Sequence, residues 1–174
     1  MEYDFLLKFK LAEGSPDASE LVERLGEAGC EDAVVGIGQP GRIALSFTRE
    51  AASAQQAIIS ALEDVKRAIA AAELIEVSPD LAGLTDIAEI VGVTRQNMRK
   101  LMLTHAKTFP APIHEGSAAL WHLAPVLEWL RARGGYDIEQ RLLEVSHVAM
   151  QINVAKEAHR LEAPVENRIR ALVA

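Results

Sequence analysis

One cysteine, Cys30, is all that 174 residues contain, so an internal disulfide and a multi-thiolate metal site are both excluded. The five histidines, His105, His114, His122, His147 and His159, stand at no metal-ligand spacing. No nucleophile-and-base motif of a serine or cysteine enzyme is recognisable in the sequence. No metal, cofactor or enzyme activity is therefore expected. Nor is there any run near the roughly 18 uninterrupted apolar residues that would span a bilayer. The start Met1-Glu2-Tyr3-Asp4 lacks the basic flank of a signal peptide, and a cytoplasmic protein is expected. A basic excess is missing as well. The net charge is −7, which argues against a protein that coats nucleic acid non-specifically.

What is present is an ordinary globular composition, 49% hydrophobic and 25% charged, in a chain long enough for two compact domains and an extension. The charge is unevenly placed. Residues 1–80 hold 7 Lys and Arg against 15 Asp and Glu, a net of −8; residues 81–135 hold 6 against 4, a net of +2; residues 136–174 hold 5 against 6, a net of −1. The acidity belongs to the front, and the middle is the one positive segment.

The front alternates between the two hydrophobic periods. Tyr3, Phe5, Leu7, Phe9 and Leu11 recur every second residue, breached only by Leu6, and predict a strand. Leu21, Val22, Leu25 and Ala28 recur at helical spacing until Gly29, with Cys30 expected as a small buried hydrophobe just beyond. Val34, Val35 and Ile37, the turn Gly38-Gln39-Pro40-Gly41, and then Ile43, Leu45 and Phe47 predict a β-hairpin. Ile58, Leu62, Val65 and Ile69 step through an alanine-rich helix, and Ile75 and Val77 form a closing strand. The order βαββαβ predicts an α+β, ferredoxin-like domain over residues 1–79. Such a fold assigns no function by itself. Gly36-Ile37-Gly38-Gln39-Pro40-Gly41 matches G-x-G-x-x-G. It is a decoy, because the following residues alternate as a strand where a nucleotide loop would open a helix.

Residues 84–101 carry the functional signal. Thr85 is expected to cap a short helix with Ile87, Ala88 and Val91 inward. Gly92 can take the positive φ of a tight turn. Val93 should pin that turn, Thr94 should cap a second helix over 94–103, and Met98 and Leu101 should bury its inner side. Arg95, Gln96, Asn97, Arg99 and Lys100 are left outward, the residue types that bond base edges and phosphates of duplex DNA. Farther on, Thr108-Phe109-Pro110-Ala111-Pro112 ends that helix, residues 113–122 fit a short hairpin, and Leu127, Trp129 and Leu130 mark a helix opening near Pro125, with both tryptophans expected in the core.

Residues 84–133 resemble the winged helix-turn-helix of AlpA-type phage regulators and MerR-like excisionases. The resemblance implies that the second helix enters the major groove and that the hairpin is a wing against the DNA backbone, with His114 and Ser117 beside a tip that also carries Glu115. A DNA-binding domain over 81–135 and a transcription regulator are thus expected, the DNA-binding set being Thr85, Thr94, Arg95, Gln96, Asn97, Arg99 and Lys100. The alternative is an adaptor or antitoxin-like protein whose acidic front recruits a protein or small-ligand partner.

Residues 136–174 are expected to form C-terminal helices. Asp137-Ile138-Glu139-Gln140 looks like a capping box, and Ile138, Leu142, Val145, Ala149 and Ile152 make an apolar seam along a helix reaching about Leu161. Pro164 should open a short helix through Val165, Ile169 and Leu172. A homodimer would bury the seam, with packing on the chain's own front domain as the alternative.

Overall fold

The structure is a computed structural model that describes residues 1–162, 165, 169–170 and 172–173. It is mixed α and β, with six helices among the described residues and one four-stranded antiparallel sheet. Strand β1 (Glu2–Lys10), helix α1 (Ala18–Glu27), strands β2 (Ala33–Gly36) and β3 (Arg42–Glu50), helix α2 (Ala54–Ala68) and strand β4 (Glu73–Ser78) follow one another. The sheet order is β2-β3-β1-β4. β1 lies at the centre because it is the most regular alternation in the chain: Tyr3, Phe5, Leu7 and Phe9 are all buried, and the residues between them face away. Leu6, on that second face, is only half-buried. β1 pairs along its length with β3, Phe5 opposite and stacked on Phe47.

Helices α1 and α2 begin where short polar side chains accept free backbone amides. Asp17 accepts from Ser19 and Glu20, and Ser53 accepts from Gln56. Leu21 and Leu25 of α1 and Ala57, Ile58, Ala61 and Val65 of α2 close over the sheet. Val22, counted with the inward residues of α1 from its spacing, is instead 48% exposed. Cys30 is buried among these residues, and burial, then the carboxylate of Asp64, pushes its thiol up to about 11. The glycine-rich segment 36–41 is the β2–β3 hairpin connection, with Gly41 at φ +71° and Arg42 already in the strand, so no helix N-terminus stands there.

The second part comprises β5 (Leu81–Ala82), α3 (Leu84–Ile90), α4 (Arg95–Thr104), β6 (Trp121–His122) and α5 (Leu123–Arg133), followed by α6 (Gln140–Ala158). β5 and β6 pair as a two-stranded ribbon. Around them lies a second core of Ile87, Ala88, Met98, Trp121, Leu127 and Leu130 with their neighbours. α5 opens at Leu123, so Pro125 is the third helical residue, still in the first turn but two positions past the first helical position that it prefers.

Helix α6 corrects two expectations. It opens at Gln140 with no side-chain cap, so residues 137–140 form no capping box, and it ends at Ala158. Its seam is covered by the chain itself. Val145 and Ala149 are buried in the front core with Ile152 packed beside them, whereas Leu142 and Ile138 pack on the second core. α6 therefore joins both halves, lying against α2, β1 and β4 on one side and α5 on the other. The helix expected from Pro164 onward falls largely outside the described residues. Among the described residues, no helix is long and apolar enough to cross a membrane.

Candidate functional site

The local chemistry of α3 and α4 follows from the residues between them. α3 is capped two positions earlier than Thr85 predicts: Gly83 is the N-cap, and its amide donates to the Asp86 carboxylate at 2.7 Å. Thr85 is an exposed residue of the first helical turn, which removes its capping role. After Ile90 the chain turns through Gly92 at φ +72°, a left-handed value that glycine adopts without strain. The amide of Val93 then donates to the Ala88 carbonyl at 2.9 Å, tying the turn back to α3. Ala88 is 1% exposed, and its small side chain lets the two helices approach.

Thr94 caps α4, its hydroxyl accepting from the Asn97 amide at 3.2 Å. Met98 is fully buried, and Leu101 and Met102 pack beside it. This one-sided anchoring determines the rest. Arg95, Gln96, Asn97, Arg99 and Lys100 are all exposed, and none of their side chains has a hydrogen-bond or ion-pair partner among the described residues. Three cations and two carboxamides thus share the free surface of a helix whose backbone is fixed by its cap and its core. Such a surface can donate to anionic oxygens and can both donate to and accept from planar amide-like edges.

The proposed wing is short. The Ile113 amide donates to the Leu120 carbonyl at 2.8 Å, and His114 and Leu120 form an isolated bridge. His114, Glu115, Gly116 and Ser117 are exposed. The His114 ring lies over Gly116, where a Cβ would come within 2.6 Å of its Nε2. Behind this hairpin the tryptophans pack inward as expected. The Trp121 indole donates to the Pro110 carbonyl at 3.0 Å, and the Phe109 ring meets both tryptophans edge-on, with centroids 6.3 and 5.1 Å away. Arg133 stacks over Trp129 at 5.7 Å, and Arg131 donates to Gln140 at 2.9 Å, so these two cations are engaged within the chain.

A second polar cluster was not anticipated. The carboxylate of Asp80 is completely buried and lies 2.7 Å from Nδ1 of His122. Its other oxygen accepts from Asn153 of α6 at 2.8 Å. Asn153 also bonds both backbone groups of Val77, accepting from the amide at 2.9 Å and donating to the carbonyl at 2.8 Å. β4 is an edge strand, and this carboxamide occupies its outward backbone groups much as a neighbouring strand would. Nearby, Ile75 is the extra residue of a bulge in β4, and its carbonyl accepts from Lys156. Lys156 also holds the Glu157 carboxyl below the usual carboxylate range. A signal for Asn153 existed in the sequence: an amide one step past Ile152 lies on the buried side of a helix and requires polar partners there.

No protein family, curated protein or solved structure matches this chain.

Proposed function

We propose that the chain is a sequence-specific double-stranded DNA-binding protein, a transcription regulator whose α4 enters the major groove. The observation that carries this reading is the free face of α4: Arg95, Gln96, Asn97, Arg99 and Lys100 exposed and unpaired on a helix anchored by Met98. Arg suits the O6 and N7 of guanine, Asn and Gln suit adenine, and Lys suits a phosphate. In the same reading, residues 81–135 are a winged helix-turn-helix of the AlpA and MerR-like excisionase kind. The element order βαββαβ and sheet order β2-β3-β1-β4 support a ferredoxin-like domain over 1–79. Residues 136–174 form the extension. With few free cations per subunit, binding should weaken only moderately with salt, by a slope of about −0.9 per phosphate neutralised. Because α6 is covered by its own chain, a homodimer on paired half-sites would have to use another surface.

Genomic footprinting with the intact protein identifies the site, and fluorescence anisotropy on that duplex tests the residues. Arg95→Ala and Arg99→Ala should each weaken specific binding by about 1–3 kcal/mol. Undiminished binding by the double variant refutes the assignment. One observation favours the alternative of a protein-recruiting adaptor: the wing tip carries Glu115 and no Lys or Arg. A chain that shows no salt-dependent DNA binding at all would decide for it.

A further inference from the structure

Where β4, α6 and the β5–β6 ribbon meet, the surface opens into a cavity of about 400 Å³, a size typical of small-molecule sites. Its walls are apolar, built by Ile75, Leu81, Ile113 and Val154. The charged groups around it are already matched within the chain. Glu76 accepts from Lys8 at 3.1 Å and from Ser78 at 3.0 Å. Lys156 donates to the Ile75 carbonyl and pairs with Glu157 at 2.9 Å. The carboxamide of Asn153 is wholly engaged by Val77 and Asp80. An ion entering this space would find no unmatched opposite charge.

His122 is different. It lines the cavity with its side chain one-fifth exposed, and its Nδ1 is held by the buried Asp80 carboxylate. A carboxylate only accepts, so Nδ1 carries the hydrogen of that bond and the ring orientation is locked. Nε2 has no partner among the described residues and is the one ring nitrogen left for a ligand. A hydroxyl can either donate to or accept from it. We propose that this cavity binds a small, uncharged, apolar molecule bearing a hydroxyl, with that hydroxyl on Nε2 of His122. The assignment stands independently of what α4 binds.

The test uses the full-length, isotope-labelled chain with 4-isopropylphenol and, as its hydroxyl-free counterpart, isopropylbenzene. The phenol should produce saturable shifts in the methyl groups of Ile75, Leu81, Ile113 and Val154 and in the Nε2 resonance of His122. Isopropylbenzene should bind at least tenfold more weakly, and His122→Phe should lose the same factor for the phenol, about 1.4 kcal/mol. Val154→Trp, at a position 52% exposed and therefore tolerant of change, should fill the cavity and abolish binding. Absence of saturable shifts up to the solubility limit of the phenol overturns the proposal, and so does equal affinity for the two probes. The comparison of probes on the unmodified chain decides the question even if His122→Phe does not fold.

Discussion

Removing the Asn153 carboxamide should be among the most damaging single changes outside the hydrophobic core. The side chain is 8% exposed and makes three hydrogen bonds, to the Val77 amide, the Val77 carbonyl and the Asp80 carboxylate, all between 2.8 and 2.9 Å. Val77 is itself fully buried and Asp80 is 1% exposed, so Asn153→Ala strands a donor, an acceptor and part of a charge where little water reaches. A stranded buried group costs about 1–3 kcal/mol. With three such groups left unpaired and partial relaxation around them, a total of about 3–5 kcal/mol is expected. Asn153→Asp keeps the shape but replaces the donor with an oxygen beside the Asp80 carboxylate and the Val77 carbonyl. It should be at least as damaging at neutral pH, and the deficit should shrink as the pH is lowered and a shared proton relieves the repulsion. Urea denaturation of the three proteins measures the loss. The freed edge of β4 should also promote self-association, visible in sedimentation velocity. A loss below about 1 kcal/mol for Asn153→Ala would refute the view that this amide caps the strand edge.

Arg49, 8% exposed, bonds both oxygens of Asp32, one of Asp64, the Ser60 hydroxyl and the Gly29 carbonyl, and lies 4.9 Å over the Phe47 ring. Arg49→Ala should lose about 3 kcal/mol in urea melts, and Arg49→Lys should recover only part of it because an ammonium lacks the planar fork. Cys30, its thiol pushed up to about 11, should resist a disulfide reagent at pH 8 in the native protein. The unfolded thiol loses its proton near 9.0 and the folded one only near 11, so stability is complete below pH 9 and declines as the pH rises through that window. By pH 11 the decline should reach about 2 kcal/mol, and it should be absent from Cys30→Ala in paired denaturation curves. At Gly92, φ is +72° and a Cβ would meet no atom within 4 Å. Gly92→Ala should therefore cost only the backbone term of about 1–2 kcal/mol, and Gly92→Asn less. A thermal-denaturation loss well beyond that would reveal packing that the open space denies.

The readable parts of this molecule are those in which one residue's shape decides the outcome. Tyr3, Phe5, Leu7 and Phe9 declare a strand because every second position is large and apolar, and Thr94 declares a helix start because its hydroxyl is within reach of a free amide. Gly92 declares its turn through a backbone angle other residues avoid. The outward face of α4 was legible for the same reason: once Met98 is buried, residues 95–97 and 99–100 must point elsewhere. Thr85 and the 137–140 segment mislead because side chains that suit a cap do not say which neighbour wins the position. Asp86 reaches the Gly83 amide and starts α3 early, and Glu139 precedes α6 with no side-chain bond. The Asp80–His122–Asn153 cluster was beyond local reading, since its members lie 42 and 73 residues apart and are brought together only when α6 docks.

Helix α6 illustrates what periodicity leaves out. Ile138, Leu142, Val145, Ala149 and Ile152 identify an apolar side but do not name the surface that covers it. In isolation, a second copy of the chain suits that side as well as the front sheet does. The deciding residues are the polar ones interleaved with the seam. Asn153 and Lys156 would be stranded against an identical apolar stripe, yet against the edge of β4 they meet the backbone groups of Val77 and the bulged carbonyl of Ile75. An amide and an ammonium placed on the buried side of a helix favour a partner with unpaired backbone, and in this chain that partner is the edge strand of its own sheet.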